Sequence, residues 1–210
     1  MKKYKFTGET IVEGVQLHRI CAIRDFADVK TGDVGGWIEK ENNLSHDDNA
    51  WVSGDAKVSG NAEVFGDAEV SGNAWVSGYA RVSGYAWVFG DARVSGNAKV
   101  SGNAEVSGNA RVSGYAWVSG NAKVSGNALV SSSNDYIILQ GFGSENRPTT
   151  MYNDAKRGIA VACGCFGGDL QAFAAQVKET HGDSKYAKEY LMCIELAKLH
   201  FGLETEDAEA

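Results

Sequence analysis

The chain is poor in the residues that would steer it towards several common roles. Its four cysteines (Cys21, Cys163, Cys165 and Cys193) are scattered, and none lies between Cys21 and Cys163. That spacing excludes a disulfide framework and makes a reducing cytoplasm the expected compartment. No apolar run approaches the ~20 residues of a membrane span. The opening MKKYKFTGETIVEG has lysines but no apolar stretch behind them, unlike a secretory signal. Positive charge is scarce, with a net charge of −7. Bulk binding to nucleic acid or an anionic membrane needs a basic footprint, so both are excluded, while a local basic stripe is not. Histidine is missing between His46 and His181, and one proline stands against 26 glycines, as suits a chain of tight corners.

What the chain has instead is repetition. From Ala50 to Ser131 one six-residue phrase recurs: Ala, a variable residue, Val, Ser, Gly, then Asn, Asp or Tyr. Ala occupies every sixth place from Ala50 to Ala128, with Val two residues on from Val52 to Val130. A fixed short period marks a solenoid. Ala and Val flank one outward residue, the period of a strand with one buried face. Gly and the Asn or Asp after it suit a corner needing positive φ. A helix is excluded, because each Gly would cost it roughly 1 kcal/mol.

Two other β arrangements compete. Two-residue Gly-Asn turns would set Val52 opposite Lys57 and Trp51 opposite Val58, mixing apolar and polar side chains on one face. Three-residue turns keep Ala with Val but leave a single sheet with its apolar face in water. A coil buries that face within itself. Three hexads per coil make a triangular prism in which residues i and i+18 stack at ~4.8 Å. The hexads fill about 4.7 coils, on the order of 22 Å of prism. The pattern resembles the left-handed parallel β-helix of hexapeptide-repeat proteins. The left hand comes from that resemblance alone and runs against the usual right-handed crossover.

The expected fold is therefore mainly β: a left-handed parallel β-helix over 50–133, with a small α+β C-terminal unit. Residues 1–49 read as an irregular first coil or cap, with Ile38 and Leu44 in the phase of the Ala positions. A solenoid end needs such a cover for its core and strand edges. Residues 134–202 read as a ββαα unit. Its first helix has Asp169 near the start, Gly182 as a stop, and Leu170, Phe173, Ala174 and Val177 on one face. Its second turns Tyr186, Tyr190, Cys193, Ile194, Ala197 and Phe201 inward. Residues 203–210 are expected to be an acidic, disordered tail.

The segments RICAIRDFADVKTGDVGGWIEKENNLS and VACGCFGGDLQAFAAQVKETHGDSKYAKEY, with the hexads between them, resemble a family of hexapeptide-repeat proteins carried by bacteriophages and prophages. Members often bear polymer-forming or transferase labels. The resemblance covers nearly the whole chain. It implies a viral origin and the cytoplasm of an infected bacterium, and it implies no particular activity.

The familiar chemistry of hexapeptide β-helices is acyl transfer, usually in trimers. It needs a general-base His on the prism wall and usually a loop thrown out from a coil. The hexads hold neither, and His46 lies at their edge in LSHDDN, where hydrogen bonding to a turn suits it better. In the C-terminal unit Cys163, Cys165 and His181 have the types for a metal site or a thiol nucleophile. CxC with a distant His and no clear fourth ligand is a weak pattern, and buried structural cysteines explain it better. No metal or cofactor is implied.

The outward residues say more. Sorted by eighteen they form three columns: Trp51, Glu69, Trp87, Glu105, Lys123; then Lys57, Trp75, Arg93, Arg111, Leu129; then Glu63, Arg81, Lys99, Trp117. Tyr79, Tyr85 and Tyr115 take corner places, and Phe65 and Phe89 replace the outward Ser. Exposed Trp and Tyr are what binding surfaces use, though stacking between coils or subunits would also employ them. Arg81–Lys99 and Arg93–Arg111 are like charges one coil apart, mildly destabilising unless paired sideways or used. The expected binding set is Trp51, Trp75, Tyr79, Arg81, Tyr85, Trp87, Arg93, Arg111, Tyr115 and Trp117. The expected function is non-catalytic binding by a homo-oligomer, a trimer, towards a host protein or a small anionic nucleotide. Acyltransferase and virion component are the alternatives.

Overall fold

The computed structural model describes residues 1–203. Of the predicted tail, 203–210, only Leu203 is among them, and the rest lies outside the described residues. Two-residue strands recur every six residues, from β4 (Trp51–Val52) to β17 (Leu129–Val130), and each ends on a Val. They follow a hairpin of β1 (Tyr4–Glu13) and β2 (Val15–Ala22) and a strand β3 (Val34–Ile38). Each short strand pairs in parallel with the strand one coil away, Trp87 opposite Glu105 and Val88 opposite Val106. The result is a three-sided parallel β-solenoid with one sheet per face. The first face carries Trp51, Glu69, Trp87, Glu105 and Lys123 outward. The second carries Trp37, Lys57, Trp75, Arg93, Arg111 and Leu129. The third carries Glu63, Arg81, Lys99 and Trp117.

Ala and Val fill the prism, and every Ala and Val of the hexads from 50 to 130 is buried. Backbone amides on each face bond to the next coil, Trp51 N–H to Ala68 O at 3.0 Å and Ser53 N–H to Val70 O at 2.9 Å. The corner glycines have φ between 58° and 73°. The residue after each of them does not, so the predicted left-handed Asn or Asp is corrected. Gly alone bears that conformation, and the next place is free to take Tyr79, Tyr85 or Tyr115.

The N-terminal segment closes one end, with one change of register. Ile38 pairs with Val58 and Leu44 with Val64, so both take Val places and not the Ala phase expected for them. Two additional residues between Leu44 and Val52 produce the shift, and Lys3 fills the resulting opening. Lys3 has no exposed surface, and its Nζ donates to Asp48 O and Ala50 O at 2.7 Å each. Burial lowers its pKa to about 8 from an ordinary 10.5, against the pull of Asp48. Between these values the unfolded chain holds a proton that the folded chain has released, so this residue adds stability as pH rises from 8 towards 10.5. The urea midpoint of the wild type should gain on that of Lys3→Met from pH 7 to pH 10. A gap that is constant or shrinks contradicts the assignment.

The other end is closed by a four-stranded antiparallel sheet: β18 (Tyr136–Leu139), β19 (Thr149–Asp154), β20 (Gly158–Cys163) and β21 (Phe166–Asp169). The predicted two strands are thus four. β19 stands in for a further coil. Thr150 Oγ1 accepts from Lys123 N–H at 2.9 Å, Asp154 Oδ2 accepts from Asn127 N–H at 3.0 Å, and the Tyr152 hydroxyl lies 3.0 Å from Ser125 Oγ. Helices α1 (Leu170–His181) and α2 (Lys185–His200) pack on that sheet. Asp169 caps α1 by accepting from Ala172 N–H at 2.7 Å, and Gly182 ends it. Along α2, Ala187, Tyr190, Ile194 and Ala197 are buried, while Met192, Leu196 and Leu199 face outward. No helix among the described residues is long and apolar enough to cross a membrane.

Candidate functional site

The outward tryptophans share one local geometry. Each lies back over the preceding coil, and its indole N–H donates to the Ser there: Trp75 to Ser59, Trp87 to Ser71 and Trp117 to Ser101, at 3.0–3.1 Å. The outward Ser of the hexad is therefore an anchor that pins an aromatic plate flat on the prism. The plates remain accessible, with Trp87 41% and Trp117 54% exposed. Trp51 is the exception. It is buried against Tyr4 of β1 and Phe26 of the loop after β2, because the N-terminal segment folds over that end of the first face. Its place in the expected binding set is corrected on that ground.

Charge is sorted between the faces. The first presents Glu69 and the ion pair Glu105–Lys123 at 2.9 Å. Burial, with a smaller contribution from Asp28, pushes the Glu69 carboxyl up. The second presents Arg93 directly opposite Arg111 in strand register, and neither forms an ion pair among the described residues. The third presents Arg81 and Lys99. Arg81 is pinned by Glu63 at 3.1 Å and stacks on Phe65 at 4.9 Å, and Lys99 lies 5.7 Å over Trp117. Phe65, Arg81, Ser83, Lys99, Ser101 and Trp117 line a shallow groove of about 210 Å³. Tyr79 and Tyr115 stand on the corner between the second and third faces, 63% and 82% exposed.

Seven of the expected residues thus lie on the second and third faces and the corner they share: Trp75, Arg93 and Arg111 on the second, Arg81 and Trp117 on the third, Tyr79 and Tyr115 on the corner. They form a cationic ridge edged with aromatics on an otherwise acidic chain. Tyr85 stands on the corner between the third and first faces and Trp87 on the first face, where Trp87 packs on Phe89 with ring centroids 4.2 Å apart.

The C-terminal unit holds a larger hollow that the sequence did not reveal. A cleft of about 600 Å³ opens between the β20–β21 turn, the loop before β19, and the two helices. Phe173, Val177 and Tyr190 are its buried floor. Tyr190 meets Phe173 edge to face at 5.6 Å and stacks on His181 at 5.7 Å. Cys163, Cys165 and His181 all line this cleft, so the residues singled out by type do converge. Among the described residues no three His, Cys, Asp or Glu side chains gather as a metal would require. Cys163 is half-buried and accepts from the Thr149 hydroxyl at 3.2 Å, whereas Cys165 is exposed, which corrects its reading as a buried structural thiol. Burial, helped by Cys163, pushes the Tyr190 phenol up to about 12, and burial pushes the Cys193 thiol up to about 11. Arg147, Phe166, Phe173 and Tyr190 were not foreseen as one site, because it forms only when helices and hairpin fold together.

Comparison with known proteins agrees with the coil. A family model described as YdcK Beta solenoid repeat matches residues 104–120, within the hexads. The "Uncharacterized acetyltransferase YdcK" of Escherichia coli (strain K12) is 36% identical over 61 residues, covering 25% of this chain and 19% of that protein. The chain thus spans about a fifth of the length of the curated relative it matches.

Proposed function

We propose that this protein is a phage- or prophage-encoded binding protein. Its rigid solenoid presents the Arg93–Arg111 ridge, with Tyr79, Tyr115 and Trp117, to an anionic partner in the bacterial host. That partner is an acidic surface of a host protein or a sequestered small nucleotide, and a counter-defence role follows from such capture. One observation carries the reading: Arg93 and Arg111 are strand partners one coil apart, and neither forms an ion pair among the described residues. Like charges facing each other across a sheet destabilise it. A partner that brings negative charge removes that cost, and flat pinned aromatics beside it supply contact area at little loss of side-chain freedom. The reading includes a homotrimer, with Tyr85, Trp87 and the outward α2 residues offering apolar surface to other copies.

The double variant Arg93→Glu/Arg111→Glu should lose whatever tagged wild-type protein captures from host lysate, read by mass spectrometry. Glu69→Lys/Glu105→Lys, on the first face, should keep it. Equal recovery on both variants contradicts the ridge.

The acetyltransferase name of the relative favours a second reading, acyl transfer. It places acyl-CoA between neighbouring prisms with a His as base. Calorimetry with millimolar acetyl-CoA tests it, and no heat of binding removes it.

A further inference from the structure

We infer that the C-terminal cleft is a second binding site, for a small planar aromatic molecule carrying one anionic group. It stands apart from the ridge and does not depend on the ridge reading.

The volume of about 600 Å³ falls within the ordinary range of small-molecule pockets, roughly 300–1,000 Å³. The walls select the ligand. Phe166 packs on Phe173 with ring centroids 5.1 Å apart at 47°, and Tyr190 packs edge to face on Phe173 at 5.6 Å, so the three rings form one continuous aromatic wall of the cleft. An aromatic wall of this kind favours a flat aromatic guest, which can lie against it. The phenol of Tyr190 is neutral at physiological pH, and burial pushes it still further up, so the floor adds no negative charge.

The charged group comes from the rim. Arg147 forms no ion pair among the described residues. Its side chain lies across the β20–β21 turn at Gly164. A Cβ on Gly164 would come within 2.8 Å of the guanidinium and 2.9 Å of Cδ. The same glycine has φ +60°, as the two-residue turn of this hairpin requires. One residue therefore lets the hairpin close and leaves room for the Arg147 side chain at the edge of the cleft. A guanidinium at this edge has two parallel donors to offer a carboxylate or sulfonate. Gln176, Thr180 and His181 along α1 complete a polar edge, and Glu145 on the rim disfavours a ligand with several negative charges.

The probe is 1-anilinonaphthalene-8-sulfonate, whose fused rings and single sulfonate match this description and whose emission rises on burial. Wild-type protein should bind it saturably at one site, at micromolar concentration. Arg147→Gln alters an exposed side chain and should fold normally, yet weaken binding about tenfold. Met192→Gln/Leu199→Gln, on the outward face of α2, should bind like wild type. Bound probe should also slow alkylation of Cys163 by iodoacetamide, with Cys21 unaffected, as read by peptide mass spectrometry. The inference is overturned if wild type does not bind below millimolar probe, or if Arg147→Gln binds unchanged. It is equally overturned if the α2 variant abolishes binding, or if Cys163 is not protected.

Discussion

Replacing Asp154 by Ala will destabilise the last coil and the C-terminal unit together, by about 3 kcal/mol. Three backbone donors converge on this one buried carboxylate. Oδ2 accepts from Asn127 N–H at 3.0 Å, and Oδ1 accepts from Lys156 N–H at 2.9 Å and Arg157 N–H at 3.1 Å. The first is an orphan amide at the end of the prism, where no further coil exists to accept it. The other two belong to the turn that returns the chain from β19 to β20. A hydrogen bond to a charged group contributes about 1.5–3 kcal/mol, and a buried donor left alone costs about 1–3 kcal/mol. Some donors will recover water at this partly open end, so the sum stays near the lower bound. Thr150→Val removes only the acceptor for Lys123 N–H and should cost about 1 kcal/mol. Urea unfolding gives both values, and hydrogen exchange at Asn127 shows whether the lost bond is the one named. An Asp154→Ala cost no larger than that of Thr150→Val would contradict the capping role.

The second large effect separates two reasons for glycine at the corners. Gly102 and Gly120 have nearly the same backbone, φ +68° and +67°. Alanine at either place is forced into the left-handed region, at a cost of about 1–2 kcal/mol. Only Gly102 has a coil stacked on it. A Cβ there would meet the backbone N and O of Gly120 at 3.0 Å each, whereas at Gly120 nothing lies within 4 Å. Backbone inside a hydrogen-bonded ladder yields little. Gly102→Ala should therefore cost about 2 kcal/mol more than Gly120→Ala, in the range of overpacking penalties. Equal urea midpoints would show that the corner needs glycine for its φ alone.

Much of the fold was legible because the repeat states its own geometry. Ala and Val two apart give the strand, Gly gives the corner, and an eighteen-residue coil gives the columns that pair in the structure. The reading failed where the period breaks. Ile38 and Leu44 fit the hexad count yet occupy Val places, because two added residues between Leu44 and Val52 change the phase and make room for the Lys3 ammonium. A count modulo six carries no sign of that insertion. The candidate site divides in the same way. The ridge follows from the columns, since Arg93 and Arg111 are eighteen apart. Trp51 obeyed the same rule and is covered, because the N-terminal segment that covers it, with Tyr4 and Phe26, is not part of the repeat. The cleft joins Arg147, Cys163, Phe173 and Tyr190 from four elements, and nothing in their spacing reveals that they meet.

The measurement closest to the central claim is mass in solution by light scattering, taken on the purified protein before and after exposure to host lysate and repurification. The proposed function predicts an oligomer that returns heavier with an acidic protein bound, or returns with a co-purifying nucleotide. Raised ionic strength should release either one, since exposed charges are screened by salt. An oligomer that returns unchanged, with nothing released by salt, would contradict it.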